Sequence, residues 1–167
     1  MNSFLTYRGL VYPWQCDHMG HMNVMWYTGK FDEASWSMLA RLGLTQVRLR
    51  GLGRAMAAVQ QNIAYKQELY AGDLVSIRTR IIEVRSKVLR FMHEMTNEAS
   101  GEIAAVAELT GVHMDAVTRR STEFPEEFYE AFQDLSDAGS ETIEFDGENK
   151  TIDRMQIKGT GYASMCD

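Results

Sequence analysis

Apolar residues recur along this chain with two different periods, and the places where the period changes mark its elements. After Val24, the residues Tyr27, Phe31, Ala34, Met38 and Leu42 follow at gaps of three and four, which is one face of a helix over about residues 24–42. Asn23 stands where an N-cap side chain accepts from an exposed amide of the first turn, and Gly43 stands just past the end. Gly29, inside the helix, costs about 1 kcal/mol relative to Ala and signals a close neighbour or a weaker helix. Residues 4–13 read as a short strand closed by Pro13-Trp14. Beyond the helix, a loop holding Gly43, Gly51 and Gly53 gives way to period two. A strand over 55–69 ends at the turn Tyr70-Ala71-Gly72-Asp73, and in the next strand Val75, Ile77, Thr79 and Ile81 alternate with Ser76, Arg78 and Arg80. After an Arg85-Ser86-Lys87 turn, Leu89, Phe91, His93 and Met95 share a face, and after a turn at 97–101 the pattern resumes at Ile103 and runs to about Asp115. The short turns predict an antiparallel meander of four strands. Pro125 opens a helix over about 126–135.

A strand, a long helix and then four strands make an α+β chain in which the apolar face of the helix needs a sheet to cover it. A strongly twisted sheet wrapped around the helix meets that need, leaving its other face to solvent or a second subunit. With 167 residues, the chain suits a single domain over 1–137, and 45% hydrophobic and 24% charged residues exclude disorder there. Residues 138–167 have sparse apolar content and no period, which reads as a C-terminal tail or extended arm, mobile or ordered only on a partner. The 11 Met and the aromatic residues favour a homo-oligomer, although a filled core would also use them.

No apolar run approaches the ~18 residues of a membrane helix, and no basic-then-apolar leader opens the chain, so a cytoplasmic protein with no membrane partner is expected. Cys16 and Cys166 are then free thiols. A net charge of −6 argues against nucleic acid as a partner, while a local basic cluster is still able to hold a phosphorylated small molecule.

The densest reactive group is the loop Cys16-Asp17-His18-Met19-Gly20-His21-Met22-Asn23, just before the helix. Free amides at a helix N-terminus stabilise a carbonyl oxygen that gains charge, and Asp17 is near enough in sequence to approach the same carbonyl. Acyl transfer is therefore permitted, and so is the plainer reading of Asp17 as a turn or cap residue. Cys16, Asp17, His18 and His21 are all metal-ligand types, but the spacing suits no closed site and no second pair completes one, so no metal is expected. Nothing in the sequence around Cys16 marks it as an activated thiol, so it is not expected to act as a nucleophile. His93 and His113 lie on apolar strand faces and read as core or rim residues.

The run from Asp17 to Tyr27, with Phe31-Asp32-Glu33-Ala34 further along the helix, resembles the hotdog-fold acyl-CoA thioesterases of the 4-hydroxybenzoyl-CoA thioesterase type. The resemblance covers about residues 4–130, and its specific part is the spacing Asp-x-x-Gly-His-x-Asn-x-x-x-Tyr. It implies a long central helix wrapped by a five- to six-stranded antiparallel sheet, a homodimer or homotetramer, an acyl-CoA substrate and no cofactor. Asp17 would be the catalytic carboxylate, as nucleophile or general base, and the Val24 amide would polarise the thioester carbonyl. Gly20 would let the loop turn tightly against substrate, and Tyr27 would line the acyl pocket or brace the loop.

The plant acyl carrier protein thioesterases carry a similar Asp-x-Asn-x-His-x-Asn run. Asp17, His21 and Asn23 match it, but Met19 stands at the first Asn. His21 would orient the loop or help move a proton, and a structural histidine bonding backbone near the cap is the competing reading. Arg85, Lys87 and Arg90 around one turn would hold the phosphates of coenzyme A, with Arg119-Arg120 as a second candidate. Trp14, Trp26 and Trp36 are able to shape an aromatic pocket, to hold a cation on their faces, or simply to fill a core. A module that binds acyl-CoA without turnover and a hotdog-fold hydratase stay open as alternatives. Asp17 favours an enzyme, and the histidine four residues after it, rather than five, departs from the hydratase pattern.

Overall fold

The computed structural model describes residues 3–137. In chain order it contains β1 (Phe4–Leu10), a 3-10 turn (Pro13–Gln15), α1 (Val24–Arg41), α2 (Gln46–Gly51), β2 (Arg54–Tyr65), β3 (Leu74–Val84), β4 (Val88–Asn97), β5 (Ile103–Asp115) and α3 (Glu126–Asp137). The tail or arm expected over 138–167 lies outside the described residues. The five strands form one antiparallel sheet in the order β1-β3-β4-β5-β2, and its inner face wraps α1. This is the α+β hotdog arrangement that the resemblance implies.

The core is one layer between helix and sheet. Tyr27, Phe31, Ala34 and Met38 of α1 are buried against Ile77, Leu89, Phe91, Met95, Ala107 and Leu109, the inward positions of three successive strands. Helical and strand periods thus place one apolar stripe on one apolar face. Asn23 caps α1 as expected, accepting from Met25 N–H at 3.0 Å, and the helix stops at Arg41, with Gly43 in the left-handed region (φ +75°). Among the described residues a Cβ at Gly29 would meet nothing within 4 Å, so none of them is the close neighbour that its glycine suggested.

A polar thread runs through this core. Thr6 and Thr79 hydroxyls are 2.7 Å apart, Thr79 Oγ1 lies 2.7 Å from His93 Nδ1, and His93 Nε2 lies 2.9 Å from Ser35 Oγ, which donates to Phe31 O at 2.8 Å. His93 is fully buried and stacks on Phe31, so it is a satisfied core histidine, as its strand face suggested.

Four expectations need correction. Only β3, β4 and β5 form the meander; β2 pairs with β5 at the far edge, from Arg54 opposite Asp115 to Tyr65 opposite Ala105. The reason lies in the connection after β2. Leu69 is drawn into the core and its carbonyl accepts Met22 N–H at 2.6 Å, while Val11 exchanges backbone bonds with Asp73 and Gly72 at 2.8 Å. These contacts start β3 beside β1 and end β2 at Tyr65, short of the expected residue 69. β1 stops at Leu10 for the same reason. Finally, the glycine-rich loop contains α2, a short helix capped by Thr45 that buries Leu49.

Candidate active site

The loop before α1 is shaped by its own backbone. Gln15 is buried; its side chain accepts Tyr12 N–H at 3.0 Å and its carbonyl accepts Asn23 N–H at 2.9 Å. Cys16 pairs with Met22, Asp17 N–H donates to His21 O at 3.1 Å, and Gly20 N–H returns to Asp17 O at 2.9 Å. Closing this turn needs a positive φ at residue 20 (+87°), which glycine supplies without strain.

The Asp17 carboxylate is held from two sides. One oxygen accepts Met19 N–H at 2.9 Å and the other accepts Asn23 Nδ2 at 3.1 Å. Asn23 thereby does two jobs, because its own oxygen caps the helix. The Met19 amide above all, then the Asn23 amide and the nearby His21 and His18, hold the Asp17 carboxyl below its ordinary value, against a rise from partial burial. Asp17 is therefore an ionised carboxylate at neutral pH. Beside it, the Val24 N–H at the first position of α1 has no acceptor among the described residues, while the neighbouring Met25 and Trp26 amides are taken by Asn23. An ionised carboxylate held through both oxygens and a helix-terminal donor with no acceptor among the described residues suit attack on a carbonyl whose oxygen gains charge.

The other predicted residues divide into two groups. His21 joins the loop: its Nε2 is 3.5 Å from Glu68 Oε1, and Glu68 also accepts from Tyr70. Tyr27 is buried, donates to Gln67 O at 3.1 Å and meets Tyr65 edge-on, and burial pushes its phenol up to about 12. It is a neutral brace, and with His21, Met22, Val24, Tyr65 and Glu68 it lines a cavity of about 220 Å³ at the helix start. Glu68, Tyr65 and Gln67 carried no sequence signal, since they reach the loop only through the crossover after β2.

Arg85, Lys87 and Arg90 form the second group, and the chain does not bring them to Asp17. The loop sits where β3 begins, and their turn lies where β3 ends, 11 residues away, on the order of 35 Å. Arg85 and Arg90 both pair with Glu83, at 2.6 and 3.3 Å, and Arg90 also pairs with Glu108. Lys87 has no ion pair among the described residues. Arg119-Arg120 occupies a turn beyond β5 at the same far end. Among the described residues no three His, Cys, Asp or Glu side chains converge as a metal's ligand set.

A second cavity, of about 270 Å³, lies further along the same side of α1. The helix lines it with Thr28, Gly29, Asp32, Ser35, Trp36 and Leu39, and β2, β4 and β5 contribute Met56, Ala57, Ala58, Gln61, Phe91, Leu109, Thr110 and Gly111. Asp32 is the one charged group in that lining. A third cavity, of about 340 Å³, follows between Trp36, Ala40, Leu44, Thr45 and Gln46.

The family model of the thioesterase-like superfamily matches residues 11–132. The chain is 28% identical over 120 residues to the L-carnitine dehydrogenase/betainyl-CoA thioesterase of Agrobacterium fabrum, covering 72% of this chain and 24% of that protein. It thus spans about a quarter of the length of that relative. It is 25% identical over 133 residues to the betainyl-CoA thioesterase of Pseudomonas aeruginosa, covering 80% of this chain and 84% of the other. Among solved structures, a hypothetical Staphylococcus aureus protein in complex with CoA superposes with a TM-score of 0.77 at 24% identity over 91% of this chain and 98% of its own. The 1,4-dihydroxy-2-naphthoyl-CoA thioesterase of Synechocystis gives 0.72 at 20% identity, over 81% and 98%. These structural likenesses bear on the fold.

Proposed function

Because the chain belongs to the thioesterase-like superfamily, whose model spans residues 11–132, we propose that it hydrolyses an acyl-CoA thioester to the free acid and coenzyme A, with Asp17 as its reacting carboxylate. The observation that carries the reading is the Asp17 carboxylate, fixed by Met19 N–H and Asn23, beside a Val24 N–H that has no acceptor among the described residues. The thioester oxygen accepts from Val24 N–H, which stabilises the charge it gains as the carbonyl carbon is attacked. Asp17 either attacks that carbon itself, releasing the thiolate and leaving an anhydride that water opens, or takes a proton from the water that attacks. Both routes consume one water and return the proton to the thiolate. His21, linked to Glu68, is the nearby group able to pass that proton, and Gly20 keeps the loop in the turn that presents Asp17.

The acyl group we propose is small and cationic. Support comes from two relatives named for betainyl-CoA and from the cavity of about 270 Å³, where the one charged side chain among the described residues is the Asp32 carboxylate. Arg85, Lys87 and Arg90 would hold CoA phosphates only for a site in another copy, since they lie at the far end of the sheet from Asp17. A homodimer or homotetramer is proposed on that account and on the β2 edge, which is unpaired among the described residues and where Val59 is 61% exposed. Among the described residues no helix is long and apolar enough to cross a membrane, and the cytoplasm is the compartment proposed.

Thiol release from a panel of short, branched, aromatic, long and cationic acyl-CoA esters tests the reading. Turnover of one ester that falls at least ~100-fold in Asp17→Asn, with the fold intact by circular dichroism, is the expected result. Near-normal turnover in the variant would remove Asp17 from the chemistry. Binding of several esters without cleavage of any would make the chain an acyl-CoA-binding module. For Lys87→Ala the expected change is a raised KM with little loss of kcat, and an unchanged KM withdraws that residue from phosphate binding.

A further inference from the structure

We propose that Trp36 is the specificity-determining residue that closes the acyl groove and so limits the length of the acyl chain; this rests on the thioesterase reading above. The helix row Thr28, Asp32, Trp36, Ala40 recurs every four residues, so these side chains stand one above another along one face of α1. The row begins one turn beyond Val24, where the thioester carbonyl is placed, and it faces β2. Two cavities lie along it in succession. Trp36 lines both the nearer, of about 270 Å³, and the farther, of about 340 Å³, and no other residue is common to the two.

The residues on either side make the indole the natural stop. Gly29, where among the described residues a Cβ would meet nothing within 4 Å, leaves the nearer cavity open, and the following helix position in the row is the small Ala40. Removing the indole therefore leaves no bulky side chain of that row between the two spaces. Trp36 is 12 positions beyond Val24, an axial distance of about 18 Å, and helical side chains lean back toward the N-terminus. Short acyl groups end before the ring, and long straight chains run into it. Its partial exposure, 42%, means that it is not a core residue whose loss would collapse the fold.

The test compares the unaltered chain with Trp36→Ala and Trp36→Leu over a series of straight-chain esters from butyryl-CoA to palmitoyl-CoA. The expected result is at least a tenfold rise in the ratio of kcat/KM for palmitoyl-CoA to that for butyryl-CoA, larger in the alanine variant than in the leucine variant. A ratio is read because a merely structural loss lowers all esters together and leaves it unchanged. An unchanged ratio alongside good turnover overturns the gate and spares the thioesterase reading. Where the unaltered chain cleaves no straight-chain ester, only failure on the cationic ester of the panel above as well would sink that reading. The same ratio is then taken from calorimetric dissociation constants, and equal ratios in variant and unaltered chain again overturn the gate.

Discussion

Asn23 joins two hydrogen bonds that serve different ends: its oxygen ends the helix and its amide holds Asp17. The two can be separated by substitution. In Asn23→Ser the short hydroxyl still caps α1, so stability holds to within about 0.5 kcal/mol, but nothing reaches Asp17. In Asn23→Ala both are lost, with a stability cost of about 1 kcal/mol. Since Asn23 is among the groups that depress the Asp17 carboxyl, both variants return it toward its ordinary value of 3.8. The proposed chemistry needs the ionised form and fails as pH falls through the Asp17 pKa. The acid limb of the kcat/KM profile therefore moves to higher pH in both variants, while only the alanine variant melts earlier. An unmoved acid limb would disconnect Asn23 from the reacting carboxylate.

At the scale of elements, α1 is the piece on which the rest depends, because its buried face supplies one side of the core and its first turn supplies the donor. Phe31 is fully buried and stacks on His93 at a centroid distance of 5.7 Å. Phe31→Ala leaves a cavity there, and a loss of about 3–5 kcal/mol is expected in urea unfolding; a loss below about 1 kcal/mol would mean that α1 is not packed as described. The helix and its cap were legible in the sequence because both are local: the stripe repeats within four residues, and Asn23 meets Met25 two positions on. The turn at Gly20 was expected only from the family resemblance, and its positive φ supplies the local reason. The place of β2 was not, because it is decided by Leu69 and Val11 finding partners far along the chain, and no local pattern records that choice. Glu68 and the α1 cavity were hidden by the same crossover. The ion pairs of Arg90 were hidden because sequence gives a charge without its partners, and Glu83 and Glu108 appear beside it only once β3, β4 and β5 are aligned.

For the whole molecule, the thread Thr6–Thr79–His93–Ser35 ties β1, β3, β4 and α1 together through the core, and its polarity is fixed by one histidine. Ser35 spends its proton on Phe31 O, so His93 Nε2 donates to Ser35 and His93 Nδ1 accepts from Thr79. A second ring proton would have no acceptor at Thr79 unless the hydroxyls turned around, and it would place a charge in an apolar core. Burial accordingly lowers the His93 pKa from 6.5 to about 3. The unfolded chain binds the proton below about pH 6.5 while the folded chain refuses it until about pH 3, so between those limits the unfolded state holds more protons. Stability from this group is complete above pH 6.5 and drains away as pH falls through that window, by at most about 1.4 kcal/mol for each unit. Urea midpoints measured from pH 7.5 down to pH 4.5 should decline steadily in the unaltered chain. In His93→Gln, which hydrogen-bonds without titrating, the chain should start less stable and decline less over the same range. Parallel slopes in the two would show that acid unfolds this fold through its carboxylates instead, and that the thread is held by something other than a neutral His93.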